Sequence, residues 1–123
     1  MRIQDFTQRK RDGVPISMVT CYDAWSAALI AETDIDCVLV GDSLAMVVYG
    51  HDSTLPVDVP TMAAHVAAVR RGAPDAFIIG DMPFLSFRRG LRAGVDAAGD
   101  LMRAGARAVK LEGAAGNLAL VRP

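Results

Sequence analysis

The 123 residues predict an α/β fold of parallel strands, one half of a (β/α)8 TIM barrel behind an N-terminal helix. Two observations carry this. Three short apolar runs, at 38–41, 77–80 and 108–109, alternate with helical stretches. Each run also leads into charged residues: Asp42-Ser43, Asp81 and Lys110-Leu111-Glu112. Strands that alternate with helices are parallel and joined by right-handed crossovers. A full barrel takes about 250 residues, and four strands do not close one.

The elements follow in order. Residues 2–11 are polar, with Ile3 and Phe6 on one helical face, and Gly13 and Pro15 stop the helix. Residues 16–21 are β-branched and apolar and form the first strand. Asp23 caps a helix over 24–33 with Trp25, Ala28 and Leu29 facing inward. The strand 37–40 comes next. The long connection 42–58 carries Gly50, His51-Asp52-Ser53-Thr54 and Pro56, and loops of that length are often functional. A helix starts near Pro60, buries Met62, Val66 and Val69, and closes at Arg70-Arg71-Gly72. Then come strand 77–80, a turn at Pro83, a helix over 91–104 capped by Gly105, and strand 108–111. A period of two points Lys110 and Glu112 toward the barrel axis and Leu111 toward the helices.

Composition bounds the function. With 52% hydrophobic and 22% charged residues the chain is globular and forms a single domain, residues 1–123. A net charge of −1 gives no case for nucleic acid or an anionic membrane. The basic groups Arg9-Lys10-Arg11, Arg70-Arg71 and Arg88-Arg89 read as solvated faces. Cys21 and Cys37 lack Cys-x-x-Cys spacing and read as reduced core residues. There is no apolar leader and no membrane-length run, so the expectation is a cytoplasmic protein.

Acids that recur at strand ends converge in space, and converging carboxylates call for a cation. Oxygen donors suit a hard ion, first of all Mg²⁺. His65 reads as a satisfied, partly buried side chain. His51 reads as ordering its loop by hydrogen bonds. No Gly-x-Gly-x-x-Gly follows a strand, so there is no phosphate-binding fingerprint.

Several segments resemble a known family. They are Thr20-Cys21-Tyr22-Asp23, Val40-Gly41-Asp42-Ser43-Leu44, Gly50 through Val57, Ala68-Val69-Arg70-Arg71-Gly72-Ala73-Pro74, Asp81-Met82-Pro83-Phe84 and Val109-Lys110-Leu111-Glu112-Gly113. On these, residues 14–113 resemble ketopantoate hydroxymethyltransferase, and residues 114–123 diverge.

The resemblance implies a (β/α)8 barrel that binds Mg²⁺. It implies transfer of a hydroxymethyl group from 5,10-methylenetetrahydrofolate to 3-methyl-2-oxobutanoate, giving 2-dehydropantoate for pantothenate biosynthesis. It assigns Asp42 and Asp81 to the metal, with Glu112 acting through water. It assigns Asp42, Ser43, Asp81 and Lys110 to the 2-oxo acid, and implies a homo-oligomer. The family's proton-abstracting glutamate lies in the second half of the barrel. The expectation is therefore a fragment, a shortened reading frame or a decayed relative, with no catalytic base of its own and inactive alone.

Two other readings stand beside it. One is a Mg²⁺-dependent lyase of the phosphoenolpyruvate mutase/isocitrate lyase type, suggested by Asp23-Ala24-Trp25-Ser26-Ala27; the motif at 50–57 favours the transferase. The other is a non-catalytic fragment.

Overall fold

The computed structural model describes residues 1–122. Its elements are α1 (Ile3–Asp12), β1 (Met18–Thr20), α2 (Ala24–Ala31), β2 (Cys37–Val40), α3 (Leu44–Val47), α4 (Val59–Gly72), β3 (Phe77–Asp81), α5 (Leu91–Arg103), β4 (Ala108–Lys110) and α6 (Leu118–Val121). The strands lie in the order β1-β2-β3-β4, and every neighbouring pair is parallel. The predicted half-barrel arrangement is what forms. No helix among the described residues is long and apolar enough to cross a membrane.

The alternation of side chains along each strand sorts the sheet into two faces. Val38, Val40 and Ile78 point to the helices and are at most 1% exposed. They meet Met62, Val66 and Val69 of α4 and Leu101 of α5, all fully buried. This is the core, and the period of α4 had located its share of it. Met18, Leu39, Phe77, Ile79 and Ala108 point the other way, into an open apolar hollow of about 580 Å³. The N-terminal helix closes the foot of that hollow: the Phe6 ring lies 4.8 Å from the Phe77 ring. Gly13, in the left-handed region at φ 67°, ends α1 as expected.

The structure corrects several expectations. The first strand is shorter than 16–21; at its start the Ser17 N–H and hydroxyl both donate to Asp36 Oδ2, at 2.9 and 3.0 Å. The inward face of α2 is not Trp25, Ala28 and Leu29. Trp25 is 75% exposed and Leu29 53%, while Ala27 is fully buried. The helix is apolar all round, so its pattern names no face; the small residues win because they allow close approach to α4. The connection 42–58 holds the short helix α3, and α6 was not anticipated. Four residues are too few to show a helical period.

Arg70 is the clearest reversal. Read as part of a solvated face, it is instead a half-buried staple. Its Nε and Nη2 donate to the Gly105 carbonyl at 3.0 and 2.6 Å, and Nη1 to Pro74 and Ala76 at 2.7 and 3.0 Å. It ties the end of α4 to the starts of β3 and β4. Arg70→Ala is expected to cost about 1–2 kcal/mol, because these carbonyls lose a charged donor but regain some water. A urea unfolding midpoint equal to that of the parent chain would contradict this role.

Both cysteines are free and buried, as the sequence reading held. Burial raises each thiol's pKa.

Candidate active site

The parallel register sets the site at the carboxyl ends of the strands. Asp81, the last residue of β3, pairs in register with Lys110, the last of β4. Val40 pairs with Gly80, so Gly41 stands level with Asp81 in the inward-facing layer. Side chains that face inward at this level meet at one rim.

Asp81 is the centre of the cluster, and only 3% of it is exposed. Lys110 Nζ donates to its Oδ2 at 2.7 Å, and the Asp42 backbone N–H approaches the same oxygen at 3.5 Å. Lys110 also reaches Glu112 Oε1 at 2.6 Å, so the ammonium bridges two carboxylates. The predicted shared face of Lys110 and Glu112 is thus observed.

The charges follow from these contacts. Burial raises the Asp81 pKa and outweighs the Lys110 bond, and the nearby Asp42 charge acts in the same direction as burial. Burial works against the charge on Lys110, but its bonds to Asp81 and Glu112 prevail and raise its pKa. Glu112, solvent-exposed, is lowered by the Lys110 bond.

Ser43 sits just before α3 and makes no capping bond with its side chain. Its hydroxyl is 2.9 Å from the Tyr22 phenol oxygen. A Cβ on Gly41 would come within 2.9 Å of Ser43 Oγ, so the glycine leaves room for that hydroxyl in the inward layer. His65 is satisfied at both ring nitrogens, as expected, by the Tyr22 carbonyl and the Tyr49 phenol. His51 departs from expectation. Its loop bond comes from the backbone N–H, donated to Ala45, and among the described residues its ring makes no hydrogen bond. Tyr22 went unassigned in the sequence, although it stands inside a quoted motif. No spacing rule links it to a residue 21 positions on.

Mg²⁺ can be tested against this donor set. Asp42, Asp81 and Glu112 offer only oxygens, the donors that a hard cation takes. Yet among the described residues no three acidic, histidine or cysteine side chains are grouped closely enough to hold a metal. Lys110 stands between Asp81 and Glu112. An ion here would have few protein ligands, with substrate and water completing its shell, the usual habit of Mg²⁺.

Comparison with known proteins adds lineage to this geometry. A family model described as ketopantoate hydroxymethyltransferase matches residues 1–122. A 3-methyl-2-oxobutanoate hydroxymethyltransferase of Coxiella burnetii (strain Dugway 5J108-111) is 59% identical over 114 residues, covering 93% of this chain and 43% of the relative. One from Bdellovibrio bacteriovorus is 58% identical, covering 98% and 46%. The chain thus spans less than half the length of these curated relatives. Among solved structures, crystals of 2,3-dimethylmalate lyase, a PEP mutase/isocitrate lyase superfamily member, resemble it with a TM-score of 0.64. That match covers 86% of this chain and 38% of the lyase, at 16% identity, a likeness of fold alone.

Proposed function

The chain belongs to the ketopantoate hydroxymethyltransferase family, and we propose that it forms the metal- and 2-oxo-acid-binding half of such an enzyme. The reaction is transfer of a hydroxymethyl group from 5,10-methylenetetrahydrofolate to 3-methyl-2-oxobutanoate, giving 2-dehydropantoate in the cytoplasm. The observation that carries this reading is the buried Asp81 carboxylate, tied to Lys110 and to the Asp42 backbone at one rim. The 59% identity favours the transferase over the lyase reading, which rests on a fold shared at 16%.

Asp42 and Asp81 would hold Mg²⁺, with Glu112 acting through a water. When bound, the ion acts as a Lewis acid toward the chelating keto and carboxylate oxygens of a 2-oxo acid. The chain's own residues do the rest of the binding. Ser43 donates to the substrate carboxylate. Lys110 places a fixed positive charge where negative charge develops on the keto oxygen. The third carbon of the acid gives up its proton to a carboxylate base that the family places outside these residues. That carbon then bonds to the methylene carbon of the folate as one of its C–N bonds breaks. The other breaks as water supplies the hydroxyl oxygen, and the proton taken from the acid and the second water proton go to the two nitrogens as tetrahydrofolate leaves.

The test needs no folate. Titration of 3-methyl-2-oxobutanoate into the chain, followed by NMR, is expected to show binding that depends on Mg²⁺. Asp81→Asn, which keeps the shape and removes the charge, should weaken that binding by at least roughly tenfold, the lower end of what even an outer metal contact is worth. Binding that ignores Mg²⁺, or an Asp81→Asn variant that binds as well as the parent, would overturn the proposal.

A further inference from the structure

A ring of hydrogen bonds encloses α3. Ser43, at its amino end, meets the Tyr22 phenol at 2.9 Å. The Tyr22 carbonyl meets His65 Nδ1 on α4, and His65 Nε2 meets the Tyr49 phenol, two residues past the end of α3, at 2.9 Å. A carbonyl only accepts, so Nδ1 carries the ring proton, and in the neutral ring Nε2 accepts from Tyr49. Leu44 and Ala45, both fully buried, anchor the helix from inside the ring.

Tyr22 is also pinned along its backbone. On one side the Cys21 N–H donates to Leu39, extending the sheet. On the other, the Asp23 carboxylate accepts from the Ser26 N–H and hydroxyl, at 2.8 Å each, and caps α2. A four-residue helix has little stability of its own. Held at both ends, it presents Ser43 in a fixed place above Gly41.

We infer that Tyr22 is a positioning residue for the anionic end of the substrate. In this role the phenol, 2.9 Å from Ser43 Oγ, acts as the donor of that bond, and the serine proton is free to go to a carboxylate oxygen. This rests on the reading of the site given above. It assigns a task to Tyr22 and, behind it, to His65 and Tyr49. The hydroxyl of a lone serine rotates among several partners; one that accepts on one side keeps its own proton for an acceptor on another.

Tyr22→Phe keeps the ring and removes the donor. With Mg²⁺ present, it is expected to raise the dissociation constant of 3-methyl-2-oxobutanoate roughly five- to tenfold, the worth of one hydrogen bond. It should leave the affinity for Mg²⁺ alone unchanged, because Ser43 is not a metal ligand. In a Ser43→Ala background the same substitution should have no further effect. A purely structural role would weaken Mg²⁺ binding as well, and would persist without Ser43.

In the unaltered chain, the Tyr22 Cζ carbon resonance should move when the acid is added, a readout that does not depend on any variant folding. Acid affinity unchanged in Tyr22→Phe, equal losses with and without Ser43, or a stationary Cζ resonance would each overturn the inference while the functional reading stands. A parent chain that shows no Mg²⁺-dependent binding of the acid would overturn both.

Discussion

Gly72→Ala is expected to be among the most damaging single substitutions in this chain, costing about 3 kcal/mol or more. Gly72 is the last residue of α4 and lies against the first turn of α2. A Cβ built there would sit 2.1 Å from the Ala24 carbonyl oxygen, against a closest tolerated approach of about 3.0 Å. The obstacle is backbone at the start of a helix, so no side-chain rotation relieves it. Moving α2 outward by more than half an ångström would open the layer that buries Ala27 against the core. Close-packed interiors do not absorb such a shift cheaply. The measurement is the urea midpoint. A Gly72→Ala variant as stable as the parent would mean that the two helices do not approach so closely.

Lys110→Met is expected to be nearly as costly at neutral pH, and its cost should depend on pH. The substitution leaves Asp81 buried without its cation. Stranding a buried charge costs about 3–5 kcal/mol, but Lys110 is 39% exposed in its side chain, so screening reduces the figure to about 2–3 kcal/mol.

The sign of the pH effect follows from linkage. The Asp81 pKa is raised in the fold, so its titration favours folding below its ordinary value of 3.8. That advantage is lost as pH climbs through the folded value. The Lys110 pKa is also raised, so its contribution is complete below 10.5 and is lost as pH climbs through the folded value. The gap between parent and variant should therefore be small in acid, where Asp81 is protonated. It should widen above the raised Asp81 pKa and persist until Lys110 deprotonates. Adding Asp81→Asn to Lys110→Met should close most of it. A gap that is the same in acid and at neutral pH would show that the pair is not the cause.

What could be read from the sequence was what repeats at a fixed period or stands at the end of an apolar run. Met62, Val66 and Val69 declared the buried stripe of α4. Asp42, Asp81, Lys110 and Glu112 were found because each stands at the end of an apolar run. The rest depended on the third dimension. Trp25 and Leu29 gave no direction, because a helix apolar on every side can bury any face. Arg70 looked like surface charge because its partners are backbone carbonyls, which leave no mark in a sequence. That Lys110 would stand between Asp81 and Glu112 followed only from the β3–β4 register. Likewise, the Tyr22–Ser43 and Tyr22–His65 bonds exist because the end of β1, the start of α3 and the middle of α4 meet at one place.

The plain strand order β1-β2-β3-β4 also has a consequence in time. Each strand joins the edge left by the one before it, so the sheet can grow as the chain leaves the ribosome, without waiting for distant segments. Asp81 is laid down with the third strand, and its cationic partner arrives only with the fourth. Until then the carboxyl is under a penalty that protonation or water must relieve. Docking of β4 lowers that penalty, so the buried carboxylate also makes addition of the fourth strand favourable, and the growing edge is least settled just before that strand arrives.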